Sequence, residues 1–202
     1  MLMLAVSSAS EQTPGENDLA ARAERLAQEI TIIDTHMDVP YRLWKNAEDV
    51  SVRTEGGDFD YERARQGGLD ALFMAIFTSP QHERDGTARA LADSLIDSVE
   101  GLVVKSPERF GIATRIEDVR SLRNERRIAI LLGMENGAPI NGDIGNVKYF
   151  YGRGVRYITL THAEDNHICD SSFDDKRTWK GLSPFGKSVV REMNRLGMMI
   201  DV

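Results

Sequence analysis

Cysteine occurs once in the 202 residues, at Cys169, which excludes an intramolecular disulfide and any zinc site built from several thiolates. Long apolar runs are also missing. Runs such as Leu72–Phe77 and Ile128–Leu132 fall far short of the ~20 residues needed to cross a bilayer, so no membrane span is expected. No Lys/Arg-rich segment occurs, and 25 basic residues against 32 acidic ones leave a formal charge of −7. That balance argues against nucleic-acid binding through a broad basic face. No GxGxxG fingerprint is present, which removes one signal for a dinucleotide-binding doubly wound sheet. The remaining composition is that of an ordinary globular chain, 41% hydrophobic and 28% charged, with the length for one sizeable core.

The first residues allow two readings. Met1–Val6 (MLMLAV) followed by Ser7, Ser8 and Ala9 has the look of a clipped secretory signal without its basic region. The alternative is a disordered start running through Thr13, Pro14 and Gly15. Both exclude residues 1–15 from the fold and leave residues 16–202 as the domain. A real signal would place the protein in the periplasm or outside the cell; otherwise the cytoplasm is expected.

From Asn17 onward, Leu19, Ala23, Leu26, Ala27 and Ile30 recur at helical spacing behind an Asn17 cap, predicting an amphipathic opening helix. Thr31–Asp38 (TIIDTHMD) is β-rich and must end at Pro40, since proline cannot continue a central strand. Gly67–Phe77 opens on turn residues and becomes continuously apolar, the pattern of a strand covered on both faces. A long helix is expected through Leu91, Leu95, Val99, Leu102 and Val103 until Pro107 breaks it. Thr114 with Glu117 reads as a capping box for a short helix through Leu122. Ile128–Leu132 makes a third strand, and Asp143 caps a helix holding Ile144, Val147 and Phe150. Val155–Thr161 makes a fourth strand ending at His162. Ser183 as N-cap, Pro184 at the first helical position and Gly197 past the end define a helix leading into a fifth strand, Met198–Val202.

Strands alternating with helices predict an α/β fold with a parallel sheet. His36, Asp38, Glu135 and His162 all fall at predicted C-terminal strand ends, where such folds place their sites. With no GxGxxG fingerprint, a barrel is the better reading. A complete (β/α)8 barrel takes ~250 residues, so the expectation is a partial (β/α)8 TIM-type barrel of about the first five strands.

In a strand, His36 and Asp38 would project from the same face. Such a pair is half of a metal site or a simple hydrogen-bonded couple. Glu135 ends an apolar strand, where an ionised carboxylate is costly unless paired or metal-bound; the alternative is an exposed loop acid. His162 opens a dense polar loop and is placed to donate to a developing oxyanion. His167 reads better as a loop-stabilising hydrogen-bond partner, Cys169 as a small buried side chain, and His82 as solvated surface.

Four segments together resemble one family: Ile33–Trp44 (IDTHMDVPYRLW), Leu131–Gly137 (LLGMENG), Gly154–His162 (GVRYITLTH) with Asn166–Ser172 (NHICDSS), and Gly181–Val202 (GLSPFGKSVVREMNRLGMMIDV). They are similar to the renal-type or membrane dipeptidases, zinc-dependent (β/α)8-barrel enzymes of the amidohydrolase superfamily. The similarity runs through nearly all of residues 17–202 and covers about the N-terminal half of a family member. It implies that His36 and Asp38 are ligands of one zinc and that Glu135 bridges two. It also implies that His162 contacts the substrate carbonyl as a catalytic and substrate-binding residue. The family's second-zinc histidines, its carboxylate-binding arginine and its late aspartate have no matched position here. The implied activity of an intact relative is dipeptide hydrolysis with two Zn2+ ions, this chain being expected to bind at most one and to have little activity alone. The alternatives are a non-catalytic metal-binding half-chain that needs its missing C-terminal half or a homo-oligomeric partner, and an amidohydrolase acting on a different amide.

Overall fold

A computed structural model describes residues 14–202; the reading of a leader or unstructured start lies outside the described residues as far as residue 13. Beyond that it needs correction. Helix α1 spans Pro14–Glu29 and so begins three residues before the expected Asn17 cap, with a proline at the position where its fixed φ suits a helix start. Strand β1 (Ile32–Met37) and a short helix α2 (Val39–Lys45) follow, then α3 (Tyr61–Gln66) and β2 (Leu69–Phe77). Next come α4 (Pro80–Arg84), α5 (Ala88–Lys105), β3 (Phe110–Ile112), α6 (Ile116–Asn124) and β4 (Ile128–Glu135). A 3-10 turn at Ala138–Ile140 leads to α7 (Gly145–Gly152), β5 (Val155–Thr159), α8 (Pro184–Leu196) and β6 (Met199–Asp201).

All pairings between these strands are parallel, in the order β1-β2-β4-β5-β6. The short β3 has no apolar period to announce it. It pairs with Ile128–Ile130 at the start of β4, while β5 takes Leu132–Glu135 farther along, so two strands share one edge of β4. Two cap assignments also shift. The N-cap of α6 is Arg115, and Asp118, not Glu117, closes the turn by accepting from the Thr114 and Arg115 backbone N–H groups. Asp143 accepts from Gly145 N–H one residue before the N-cap of α7, Ile144. Helix α8 begins as expected, with Ser183 Oγ accepting from Gly186 N–H at 2.8 Å, and ends on Gly197 at φ 73°.

Strands lie ~4.8 Å apart, so β1 and β5, three steps apart, would be separated by ~14 Å in a flat sheet. Tyr157 of β5 nevertheless places its hydroxyl 3.4 Å from the Thr35 carbonyl of β1. The sheet is therefore rolled into part of a parallel barrel. Its two faces follow the period of two. Leu72, Met74 and Ile76 of β2 with Ile128, Ile130, Leu132 and Met134 of β4 join the main core. That core includes Leu91, Leu95 and Val99 of α5, Val147 and Phe150 of α7, and Val189 and Met193 of α8. The alternate residues face the concave side, where α6 adds Val119 and Leu122 against Ala71 and Ala129 at the N-terminal strand ends. The C-terminal ends of that side are left for polar groups.

The segment between α2 and β2 is held by Asp60. Its buried carboxylate caps α3, accepting from Arg63 N–H at 2.8 Å, from the Arg63 guanidinium at 2.7 Å and from Thr54 N–H at 3.2 Å. Burial alone would raise its pKa, but these donors together bring it down from 3.8 to about 2. The contribution is thus complete above the unfolded-state pKa and is lost as the pH falls through about 2. Asp60→Ala is expected to lower the unfolding free energy at pH 7 by roughly 3 kcal/mol in urea denaturation, because the Arg63 and Thr54 donors lose their acceptor. The gap between parent and variant should close as the pH falls from 4 toward 2; a gap independent of pH would contradict the assignment.

Candidate metal centre

Four polar side chains meet at the C-terminal rim of the rolled sheet. His36 lies near the end of β1, where its backbone N–H donates to Asp34 Oδ1 at 2.9 Å. Asp38 does not continue the strand, as alternation had suggested. It is the N-cap residue of α2, at φ −80° and ψ 27°, with Pro40 in the first helical turn. The bend still brings Asp38 Oδ1 within 3.6 Å of His36 Nε2. Glu135 is the last residue of β4, at the strand end where the sequence places it. His162 follows β5 at the start of the long loop to α8.

Glu135 is the centre of the group. Its Oε2 lies 3.3 Å from His36 Nε2, and its Oε1 lies 3.2 Å from His162 Nε2. Its side chain is 13% exposed, against 42% for His36 and 41% for His162. Burial raises the Glu135 pKa first and Asp38 adds to the rise, while His36 and His162 oppose it. Donor atoms of His36, Asp38 and Glu135 all lie within 4.8 Å of one another. Zinc bonds of about 2.0–2.2 Å at tetrahedral angles set ligand separations of ~3.3–3.6 Å. The 3.3 Å and 3.6 Å spacings around His36 Nε2 match that requirement. A nitrogen with carboxylate oxygens is a donor set suited to zinc.

Aromatic rings wall one side. Phe77, the last residue of β2, meets the His162 ring edge-on at 5.1 Å between centroids, and Tyr41 packs on Phe77 at 5.2 Å. Tyr157, buried on β5, lies on the other side with its hydroxyl 3.4 Å from His36 Nδ1. Burial and the nearby carboxylates of Asp201, Glu135, Asp38 and Asp34 push its phenol up to about 12. Sequence reading had passed over both Phe77 and Tyr157, treating them only as strand residues. Period-two spacing held a partial signal, since Gly133 and Glu135 share one face of β4.

The loop after His162 is stitched by its own carboxylates and amides. Asp165 is held down to about 2, chiefly by the Thr178 N–H and also by the Ser171 N–H. Asp170 accepts from Trp179 N–H at 2.7 Å and Gly181 N–H at 2.9 Å. Buried Asn166 donates to Asn136 Oδ1 and the Leu160 carbonyl, and accepts from the Ile168 and Cys169 N–H groups. It thereby ties the loop to the residue immediately after Glu135. His167 Nδ1 lies 2.7 Å from Glu83 Oε1, the loop-stabilising role expected of it. Cys169 is buried, and its thiol is pushed up to about 11 by burial and then by Asp170 and Asp165, which removes it as a nucleophile. His82, expected as solvated surface, is half-buried: it pairs with Thr87 Oγ1 at 2.9 Å and meets the Trp44 ring edge-on.

Residues 20–202 match the model of the membrane dipeptidase family, peptidase family M19. The chain belongs to this family. A dipeptidase from Schizosaccharomyces pombe described as uncharacterized is 34% identical over 186 residues, covering 85% of this chain and 46% of the relative. Human Dipeptidase 3 is 34% identical over 199 residues, covering 94% of this chain and 40% of its own length. Among solved structures, the probable dipeptidase PvdM from Pseudomonas aeruginosa superposes with a TM-score of 0.83 at 29% identity, over 92% of this chain and 50% of PvdM. The chain spans about half the length of the curated family members it matches. Within this M19 chain, Asn166→Ala should loosen the loop next to Glu135. Trypsin cleavage at Lys176, Arg177 or Lys180 is expected to accelerate roughly tenfold, and an unchanged cleavage rate would show that Asn166 is not the tie.

Proposed function

We propose that His36, Asp38, Glu135 and His162 form part of a zinc centre that hydrolyses dipeptides in the intact protein. The observation that carries this reading is the convergence on Glu135: one carboxylate oxygen meets His36 beside Asp38, and the other meets His162. Family membership supports the substrate class, and the likeness to a solved M19 metallopeptidase supports the metal. Bound zinc would supply Lewis acidity toward the scissile carbonyl and a lowered pKa for a coordinated water.

The chain's own residues have separable tasks. His36 Nε2 and Asp38 Oδ1 offer one nitrogen and one oxygen ligand from the β1–α2 bend. Glu135, held at the end of a buried strand, presents an oxygen to each side. His162, at the rim, is placed to donate Nε2–H to an oxygen that gains negative charge as a peptide carbonyl is attacked, an interaction stronger in the transition state than in the ground state. Phe77 supports the ring edge-on. Resemblance to the family implies two metal ions in the complete centre, whose second pair of histidines matches no position in these residues.

Titration of the 202-residue chain against a chromophoric zinc chelator should therefore give at most one zinc per chain. Glu135→Gln should weaken binding at least tenfold. Dipeptide turnover by the chain alone should be slight, because sites that act as a unit lose most of their rate when members are missing. Two tightly bound ions, or zinc binding unchanged in Glu135→Gln, would refute the ligand assignment.

A second reading is favoured by β6, whose three residues are exposed and which pairs only with β5 among the described strands. An unpaired strand edge invites strand addition, and in this reading β6 pairs with a further strand, from the rest of a longer polypeptide or from a second copy. Light scattering after size exclusion checks this: a dimer or larger species supports it, and a monodisperse soluble monomer counts against it.

A further inference from the structure

His36 has two ring nitrogens, and the zinc-centre reading uses one. Nε2 faces Asp38 and Glu135. Nδ1 faces away, 3.4 Å from Tyr157 Oη, and the same oxygen lies 3.4 Å from the Thr35 carbonyl. A carbonyl can only accept; with the tyrosine proton directed to Thr35, the lone pair left on Oη is open to accept from Nδ1–H. This pattern turns Nε2 toward the side where Asp38 and Glu135 converge.

The room for this ring has to be made. Gly133 is paired with Tyr157 across β4 and β5. A Cβ at position 133 would lie 2.0 Å from Tyr157 Cζ and 2.4 Å from its hydroxyl oxygen. No side chain other than hydrogen fits there with the ring in place. Phe73 closes the opposite side, 5.2 Å from the Tyr157 ring centroid. The strand that carries Glu135 therefore also carries, two residues earlier and on the same face, the vacancy that seats Tyr157.

We propose that Tyr157 is a positioning residue for the metal centre, accepting from His36 Nδ1–H so that the imidazole presents Nε2 to the metal, and that Gly133 exists to admit it. This deepens the zinc-centre reading and rests on it for the metal. Partners that fix the tautomer of a metal-binding histidine in this way are typically worth 10–100-fold in metal affinity.

Tyr157→Phe removes only the hydroxyl and keeps the packed ring. In the metal-free chain, long-range proton–nitrogen correlation spectra should show a larger share of the Nδ1–H tautomer at His36 in the parent than in the variant. In the variant the proton should redistribute toward Nε2. Zinc affinity from chelator competition should fall about tenfold, with the metal-free melting temperature unchanged. Gly133→Ala, which displaces the ring, should reproduce the loss of affinity. Identical His36 tautomers and identical zinc affinity in parent and Tyr157→Phe would overturn the proposal. If the parent binds no zinc, the zinc-centre reading fails, and the tautomer measurement still decides whether Tyr157 sets the His36 proton.

Discussion

A carboxylate at the end of a largely buried strand is the constraint around which the rest of this structure is arranged. Placing an ionised group in apolar surroundings costs several kcal/mol unless charges or donors compensate. Glu135 sits where β4 leaves the core, and the neighbouring strands deliver the compensation: His36 from β1 on one side and His162 from beyond β5 on the other. His36 comes from two strands away, β1 to β4, a span of ~10 Å in a flat sheet that the roll shortens. The roll of the sheet is thus a condition of the site, and the helices α5, α7 and α8, packed on the outer face through Leu95, Phe150 and Met193, hold that roll in place.

A second consequence concerns what the concave side may contain. Its N-terminal end is filled by small and aliphatic residues, Ala71 and Ala129 against Val119 and Leu122. Toward the C-terminal end, Gly133 gives up its side chain and Tyr157 takes the space. The loop from His162 to Ser183 covers the rim by satisfying its own backbone with Asp165, Asp170 and Asn166, so a long irregular segment stays ordered without a strand or helix of its own. Glu83, reaching from α4 to His167, fastens the far side of that loop.

Much of this was legible in advance. The α/β alternation, the α8 caps at Ser183 and Gly197, the apolar strands β2 and β4, and the placement of His36, Glu135 and His162 at strand ends all follow from periodicity and turn chemistry. The strand β3 was not legible, because three residues carry no period, and α2, α3 and α4 are too short to show one. Asp38 was placed near His36 for the wrong local reason: a strand was expected where the chain bends into a helix behind Pro40. Tyr157 was hidden in plain sight, since an aromatic residue in a strand reads as core until its hydroxyl is seen to cross to another strand.

The sequence by itself determined the elements, their order and the residue types able to bind a metal, because local propensity, capping and hydrophobic period act over a few residues at a time. It also determined the family, through four separate motifs and the order in which they occur. Only the tertiary structure decided which of those residues meet. His36, Glu135 and His162 are separated by 99 and 27 positions along the chain, and their meeting depends on strand register and on how far the sheet rolls. Those are properties of the packed core as a whole, and no short stretch of sequence contains them.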